Sequence, residues 1–195
     1  QWTRGWGSNV LLVGADTKRT ASTVSELRYS ALGVQTGPFL AGGTERDNAI
    51  FGRISTAPHD NLTVVLGART DFWKSTPNTA LPEHTATYIS PRASLGWRVS
   101  EETSVHASVY RGHRTPTLNE LHRGFSVGSI VTNPNPELNP ERLTGVEGGW
   151  LWSRRGVSAR VTGFANELDN AITNVTISSV GAAITRQRQN TDSVP

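Results

Sequence analysis

The sequence predicts an all-β fold: an antiparallel transmembrane β-barrel wall of about eight strands, with short periplasmic turns and long extracellular loops. Three observations carry this. Segments of apolar–polar alternation recur along the chain, and in the clearest of them every charge lies on one face. These segments run to roughly nine to twelve residues, the length a tilted membrane-spanning strand needs. The connections between them are alternately long and short, as when turns gather on one rim of a barrel and loops on the other.

Taken in order, residues 9–17 alternate weakly through Leu11, Val13 and Ala15. A polar, Gly-rich connection is expected from there to Asn48, with Gly33, Gly37, Gly42 and Gly43 forming a flexible outer loop. Residues 49–57 set Ile50 and Ile54 against Arg53 and Ser55, and Pro58-His59-Asp60-Asn61 turns the chain. Residues 62–73 are the clearest strand: Leu62, Val64, Leu66, Ala68 and Phe72 oppose Thr63, Gly67, Arg69 and Asp71. A Thr- and Pro-rich loop, 74–87, leads to a strand over 88–99, where Ile89, Ala93, Leu95 and Trp97 oppose Ser90, Arg92, Gly96 and Arg98. After a polar turn, residues 104–111 return with Val105, Ala107 and Val109 against His106, Ser108 and Tyr110. The stretch 112–142 is too long for a hairpin turn, and Pro116, Pro134, Pro136 and Pro140 exclude a regular strand or helix through most of it. Such a loop in a compact domain implies a function. Strands at 143–152 and 157–168 follow, joined by Ser153-Arg154-Arg155-Gly156, with Phe164 breaking the alternation of the second. Residues 169–183 read as a loop, and 184–190 as the start of an eighth strand.

The apolar face of these strands suits lipid, and the face carrying Arg53, Arg69, Asp71, Arg92, Arg98, His106 and Glu147 suits a polar interior. A charge facing lipid at mid-depth costs roughly 2–4 kcal/mol, which is why charges keep to one side. By the same logic Leu66→Arg should impair assembly, and Arg69→Leu should be milder. Trp73, Trp97, Trp150 and Trp152 lie near strand ends, where an amphipathic ring suits the membrane interface.

Composition narrows the function. The 195 residues suffice for one domain or part of a larger one, and 35% hydrophobic residues is low for a packed globule. The net charge is +3, but Lys and Arg are scattered singly, which argues against nucleic acid as a partner. The longest nearly apolar run, VLLVGA at 10–15, is too short for a membrane helix. No Cys is present to build a disulfide framework. The opening QWTRGWG lacks the basic-then-apolar pattern of a signal and reads as a cut end. His84, His106, His113 and His122 have no metal-site spacing, and no phosphate loop or catalytic pairing occurs, so neither metal, cofactor nor enzyme activity is expected. Periodicity alone also admits a passive small or porin-like outer-membrane barrel, or a soluble β-sandwich that binds carbohydrate.

The motifs separate these readings. Tyr110-Arg111-Gly112-His113-Arg114-Thr115-Pro116-Thr117-Leu118-Asn119-Glu120-Leu121 closely resembles the Y-x-x-x-R-x-P-x-x-x-E-L signature of TonB-dependent outer-membrane receptors. Asn135-Pro136-Glu137-Leu138-Asn139-Pro140-Glu141-Arg142 resembles that family's NPxLxPE segment. Gly67-Ala68-Arg69-Thr70-Asp71 is similar to its GxRxD strand ending, and Ser90-Pro91-Arg92 to the SPR that opens a following strand. NELDNAI at 166–172 resembles a family tail only loosely.

The resemblance implies a 22-stranded barrel of roughly 540 residues filled by a plug domain. The whole of 1–195 would then be a middle-to-late part of the barrel domain, with no plug, coupling box or terminal strand present. It further implies the outer membrane of a Gram-negative-type bacterium and contact with outer-membrane lipid. The partners implied are the receptor's own plug and, through it, the TonB energy-coupling protein. The imported ligand would be scarce: a siderophore, cobalamin, haem or an oligosaccharide. Carried over residue by residue, Arg114, Pro116, Glu120, Leu121, Asn135, Pro136, Pro140, Glu141 and Arg142 are expected to be structural and to fix the base of the long loop, since an Arg–carboxylate pair can order such a loop.

Overall fold

The computed structural model describes residues 1–29 and 32–192. Its main feature is one eight-stranded antiparallel sheet built from consecutive hairpins. The strands are β1 (Trp2–Trp6), β2 (Asn9–Tyr29), β3 (Gln35–His59), β4 (Leu62–Pro77), β5 (His84–Arg98), β6 (Thr103–Arg114), β9 (Glu141–Arg154) and β10 (Val157–Asp169). Between β6 and β9 lie a five-residue helix, α1 (Leu118–His122), and two short strands, β7 (Phe125–Val127) and β8 (Ile130–Asn133). β11 (Ala171–Val180) and β12 (Ala183–Thr191) join β8 and β7 in a second, four-stranded sheet at the loop rim, where β12 and β8 run parallel.

The registry makes the wall two-faced. One row of cross-strand partners runs Leu11, Ile54, Leu66, Ala93, Val109, Val146, Ala165, apolar across seven strands. The adjacent row, pointing the other way, runs Leu12, Arg53, Gly67, Arg92, Tyr110, Gly145, Asn166. Along β4 the apolar face extends from Leu62 to Phe72, about 33 Å of strand, or roughly 25 Å of height at a 40° tilt, which is the lipid-facing band of a membrane barrel. Trp6, Trp97, Trp150 and Trp152 gather on this face near the short turns.

Several expectations need correction. β1 precedes the first expected strand and pairs with β2 through a turn at Gly7, whose φ of 53° suits glycine. The expected loop 18–48 is instead the outer half of the β2–β3 hairpin, and Gly37, Gly42 and Gly43 belong to β3. Its polar residues alternate above the lipid band, where no apolar face is required. β4 and β5 likewise extend into the expected loop 74–87, and Ser90-Pro91-Arg92 lies inside β5 instead of opening it. Residues 169–183 are mostly strand: β11 forms a hairpin with β12, so 184–190 belongs to the second sheet and not to an eighth wall strand. The long connection 112–142 carries α1, β7 and β8, and β6 and β9 continue into its ends. Phe164 does break the apolar–polar alternation, although β10 runs on through it. It sits on the polar face opposite Glu147, while Gly163 and Ala165 keep the apolar one.

Trp73 is not an interface residue. It is 2% exposed and packs with Leu121 and Leu138 in a small core, flanked by Ala86, Tyr88 and Ile172. This core lies on the polar face at the loop end, so the long loop folds inward over the wall.

Three aromatic rings on the polar face cover glycines directly across from them: Phe51 over Gly14, His106 over Gly149 and Tyr110 over Gly145. A Cβ on Gly145 would lie 2.6 Å from the Tyr110 ring, closer than any real contact. Glycine's missing side chain leaves bare backbone, and the ring supplies the packing in its place.

Candidate functional site

The candidate site is the base of the long loop. Arg114 is the last residue of β6 and Glu141 the first of β9, and the ladder makes them direct partners. The Arg114 Nε donates to Glu141 Oε2 at 2.5 Å, and Nη1 reaches Glu120 Oε2 at 3.1 Å. One guanidinium therefore joins both ends of the loop to the helix inside it.

α1 is placed by a capping box. Thr117 Oγ1 accepts from the Glu120 N–H (3.3 Å), and Glu120 Oε2 accepts from the Thr117 N–H (2.7 Å). The pattern T-L-N-E at 117–120 announces this, and our sequence reading did not use it. Pro116 is fully buried, and Leu118 and Leu121 turn the helix's apolar side onto the core.

The second half of the loop closes on the first. The Asn135 N–H donates to the Glu120 carbonyl (3.1 Å), and its Oδ1 accepts from the Glu137 N–H (3.0 Å). Its Nδ2 donates to the carbonyl of Arg188 in β12 (3.0 Å). Pro136 and Pro140, both half-buried, bracket Leu138, which is fully buried. Glu141 Oε1 accepts from the Ile172 N–H at 2.7 Å, drawing β11 in. Asn139 and Asn190 exchange two hydrogen bonds, 2.8 and 3.0 Å.

Of the nine residues expected here, eight fall in this one assembly. Arg142 stands apart, donating from Nε to Asp169 Oδ2 at 2.9 Å, its partner on β10. The Arg114 side chain is nearly half exposed and that of Glu141 is largely covered, so the pair is a clasp at the rim. Sequence reasoning also missed His122. It is 7% exposed and meets Ser75 Oγ at 3.1 Å, anchoring α1 to β4, and it is no ordinary surface histidine.

Electrostatics reinforce the clasp. The Arg114 hydrogen bond, aided by the Ile172 N–H, outweighs burial and holds the Glu141 carboxyl below its ordinary value. Burial pushes Glu120 up, but the Thr117 N–H and Arg114 together outweigh it and leave that carboxyl lowered too. Burial also lowers His122, which favours the neutral ring beside Ser75.

Below the clasp the wall opens slightly. The β5–β6 ladder stops at Arg92 and Tyr110, whereas β6–β9 continues to Arg114 and Glu141. Pro91 comes next on β5 and has no N–H to extend the ladder. His113 fills the gap, with its ring 4.7 Å from that of Tyr88 and its Nδ1 3.1 Å from Ser90 Oγ. Alongside, Arg69 holds two carboxylates: Asp71 through Nε (2.7 Å) and Asp16 through Nη1 (2.6 Å) and Nη2 (3.1 Å). These are ion-pair and hydrogen-bond networks that position loops and strands.

Comparison with known proteins agrees with this architecture. The family model described as "TonB dependent receptor-like, beta-barrel" matches residues 1–194. No curated protein matches the chain. Among solved structures, a copper transporter, OprC, superposes with a TM-score of 0.77 at 16% identity, covering 97% of this chain and 32% of that one. The siderophore receptor PirA from Acinetobacter baumannii gives 0.69 at 16% identity, covering 98% and 31%. A double mutant of the Serratia marcescens hemophore receptor HasR, in complex with its hemophore HasA and heme, gives 0.66 at 16% identity, covering 93% and 38%. The chain thus spans about a third of the length of the structures it resembles.

Proposed function

The chain belongs to the TonB-dependent receptor-like β-barrel family, and from that premise we propose that it forms part of the wall of an outer-membrane receptor importing a scarce ligand by energy coupling. The observation that carries the reading is the rim clasp. Arg114, Glu120 and Glu141 fix a long loop inward over the polar face, where it can meet a ligand entering from outside. In this reading the nine loop-base residues are structural, the apolar face meets outer-membrane lipid, and the polar face surrounds a plug domain pulled by TonB.

The ligand class follows a receptor's loops and plug, and the resembling structures include copper, siderophore and haem-related proteins. Siderophores, cobalamin, haem and oligosaccharides, the classes the family resemblance implies, are the panel to test. No covalent chemistry is required of the wall.

The test is uptake by cells expressing the full-length receptor, with each labelled ligand supplied at limiting concentration. Accumulation of one ligand should stop when the proton gradient is collapsed. It should also stop when residues 118–138 are replaced by a flexible linker, with the folded barrel still present in the outer membrane. Uptake that persists without the gradient would identify a passive barrel.

A further inference from the structure

The polar face is electrically divided. Toward the loops the face carries the acids: Arg69 serves Asp16 and Asp71, while Asp47, opposite Lys18, and Glu45 have no ion pair among the described residues. Toward the short turns the balance reverses. From mid-strand to the turns the face carries Arg53, Arg92, Arg98 and Arg160. The strands there supply, among the described residues, one carboxylate, Glu147, 3.6 Å from His106, with Asp60 on the adjoining turn. Arg98 donates to the Asp60 carbonyl at 2.9 Å. Arg53, Arg92 and Arg160 have no carboxylate partner among the described residues.

Two of these arginines form a geometric unit. Arg53 and Arg92 both pair across the ladder with Gly67, one from each side. They therefore stand in one row, two strands or about 10 Å apart, with no side chain between them. Guanidinium groups projecting from both flanks of a glycine leave a gap that one carboxylate can enter, accepting from each.

We propose that this arginine face is the docking surface for an acidic segment of the domain enclosed by the receptor's barrel, with a carboxylate seated over Gly67 between Arg53 and Arg92. The inference rests on the receptor reading. It adds where the enclosed domain is gripped, and by what charge. A resident carboxylate suits the site better than a passing solute. Like charges standing in one row repel one another; mobile ions only screen that repulsion, whereas a carboxylate seated between them offsets it throughout the resting state. The bias of the lower wall also sets orientation, since a basic segment placed there would be repelled.

The test uses the full-length receptor with a photo-crosslinking amino acid at position 92, together with Arg53→Gln/Arg92→Gln and the charge-keeping pair Arg53→Lys/Arg92→Lys. Crosslinks should map to an Asp- or Glu-bearing segment of the enclosed domain. In the Gln pair a protease added from the periplasmic side should cut that domain about tenfold faster at low salt, with the difference shrinking in 1 M salt, where the screening length is ~3 Å. The Lys pair should stay near the parent rate, and its folded barrel serves as the control if the Gln pair fails to assemble. Crosslinks confined to segments without acids would overturn the proposal. So would an unchanged digestion rate together with altered anion passage, which would assign the arginines to solute transport. A lumen yielding no enclosed domain in the parent protein would overturn the receptor reading as well, and so is distinguishable from failure of the charge argument alone.

Discussion

Arg114 and Arg69 show what a single guanidinium does on this wall: each is shared between a carboxylate near it in the sequence, Glu120 or Asp71, and one far from it, Glu141 or Asp16. At the clasp the two functions of Glu120 can be separated by substitution. Glu120→Gln keeps the capping acceptor and loses the charge, whereas Glu120→Ala loses both and should cost about 1 kcal/mol more of local stability. Protease cleavage within 115–140 of the intact receptor should therefore rise slightly for Gln and clearly for Ala. Acid should mimic these changes. Glu120 and Glu141 are both held below their ordinary value of 4.5, so their contribution is complete above that pH and is lost as pH falls below it through the lowered folded values. Loop cleavage by an acid-active protease should increase below about pH 4.5 in the parent and less in Glu120→Gln. Arg69→Leu, mild by periodicity alone, should instead rival Leu66→Arg in lost assembly. It would strand Asp71, which is 4% exposed. The motif spacing pointed to Arg114, Glu120 and Glu141. Nothing local could point to Asp16, which meets Arg69 across 53 positions.

Strands were legible where lipid imposes alternation and illegible where it does not. β4, with Leu62 to Phe72 on one face, was readable because a misplaced charge there is costly. β11 and the outer halves of β2 and β3 obey no such rule, and their Ser, Thr and Gly content resembles loop. The cross-strand glycines were hidden for another reason. Gly145 gains meaning only once registry sets Tyr110 over it, with its hydroxyl donating to Asn166 Oδ1 at 3.1 Å. Gly145→Val should force the ring aside and break that bond. Overpacking of this kind costs typically ~1–3 kcal/mol, and slower appearance of heat-modifiable barrel would report it. Gly163→Val, on the lipid face with nothing near its Cβ, should be tolerated.

The whole wall is unfinished at both sides, because β1 and β10 each end the sheet. In hydrocarbon every unpaired backbone group costs several kcal/mol, so this wall requires further strands to close it. The isolated chain should therefore aggregate in detergent, or leave a protease-sensitive sheet. A compact, protease-resistant monomer on an unheated gel would instead show that eight strands suffice. Closure by partial curling is disfavoured by the polar face itself, where Gly67, Gly96 and Gly149 supply little bulk to fill a narrow barrel.

The β2–β3 hairpin has a topographic consequence. Its unbroken run of apolar pairs on the lipid side ends at Ala15 and Ile50, yet the two strands remain laddered as far as Tyr29 and Gln35. About a dozen residues per strand therefore rise beyond the bilayer, some 30 Å at the tilt of the wall. A ribbon of that height should stand above a supported membrane as a discrete post, tall enough for a scanning probe to resolve. Excising residues 22–43 should flatten the relief at that spot and loosen the long loop beside it, because Glu26, the partner of Arg123, goes with the ribbon.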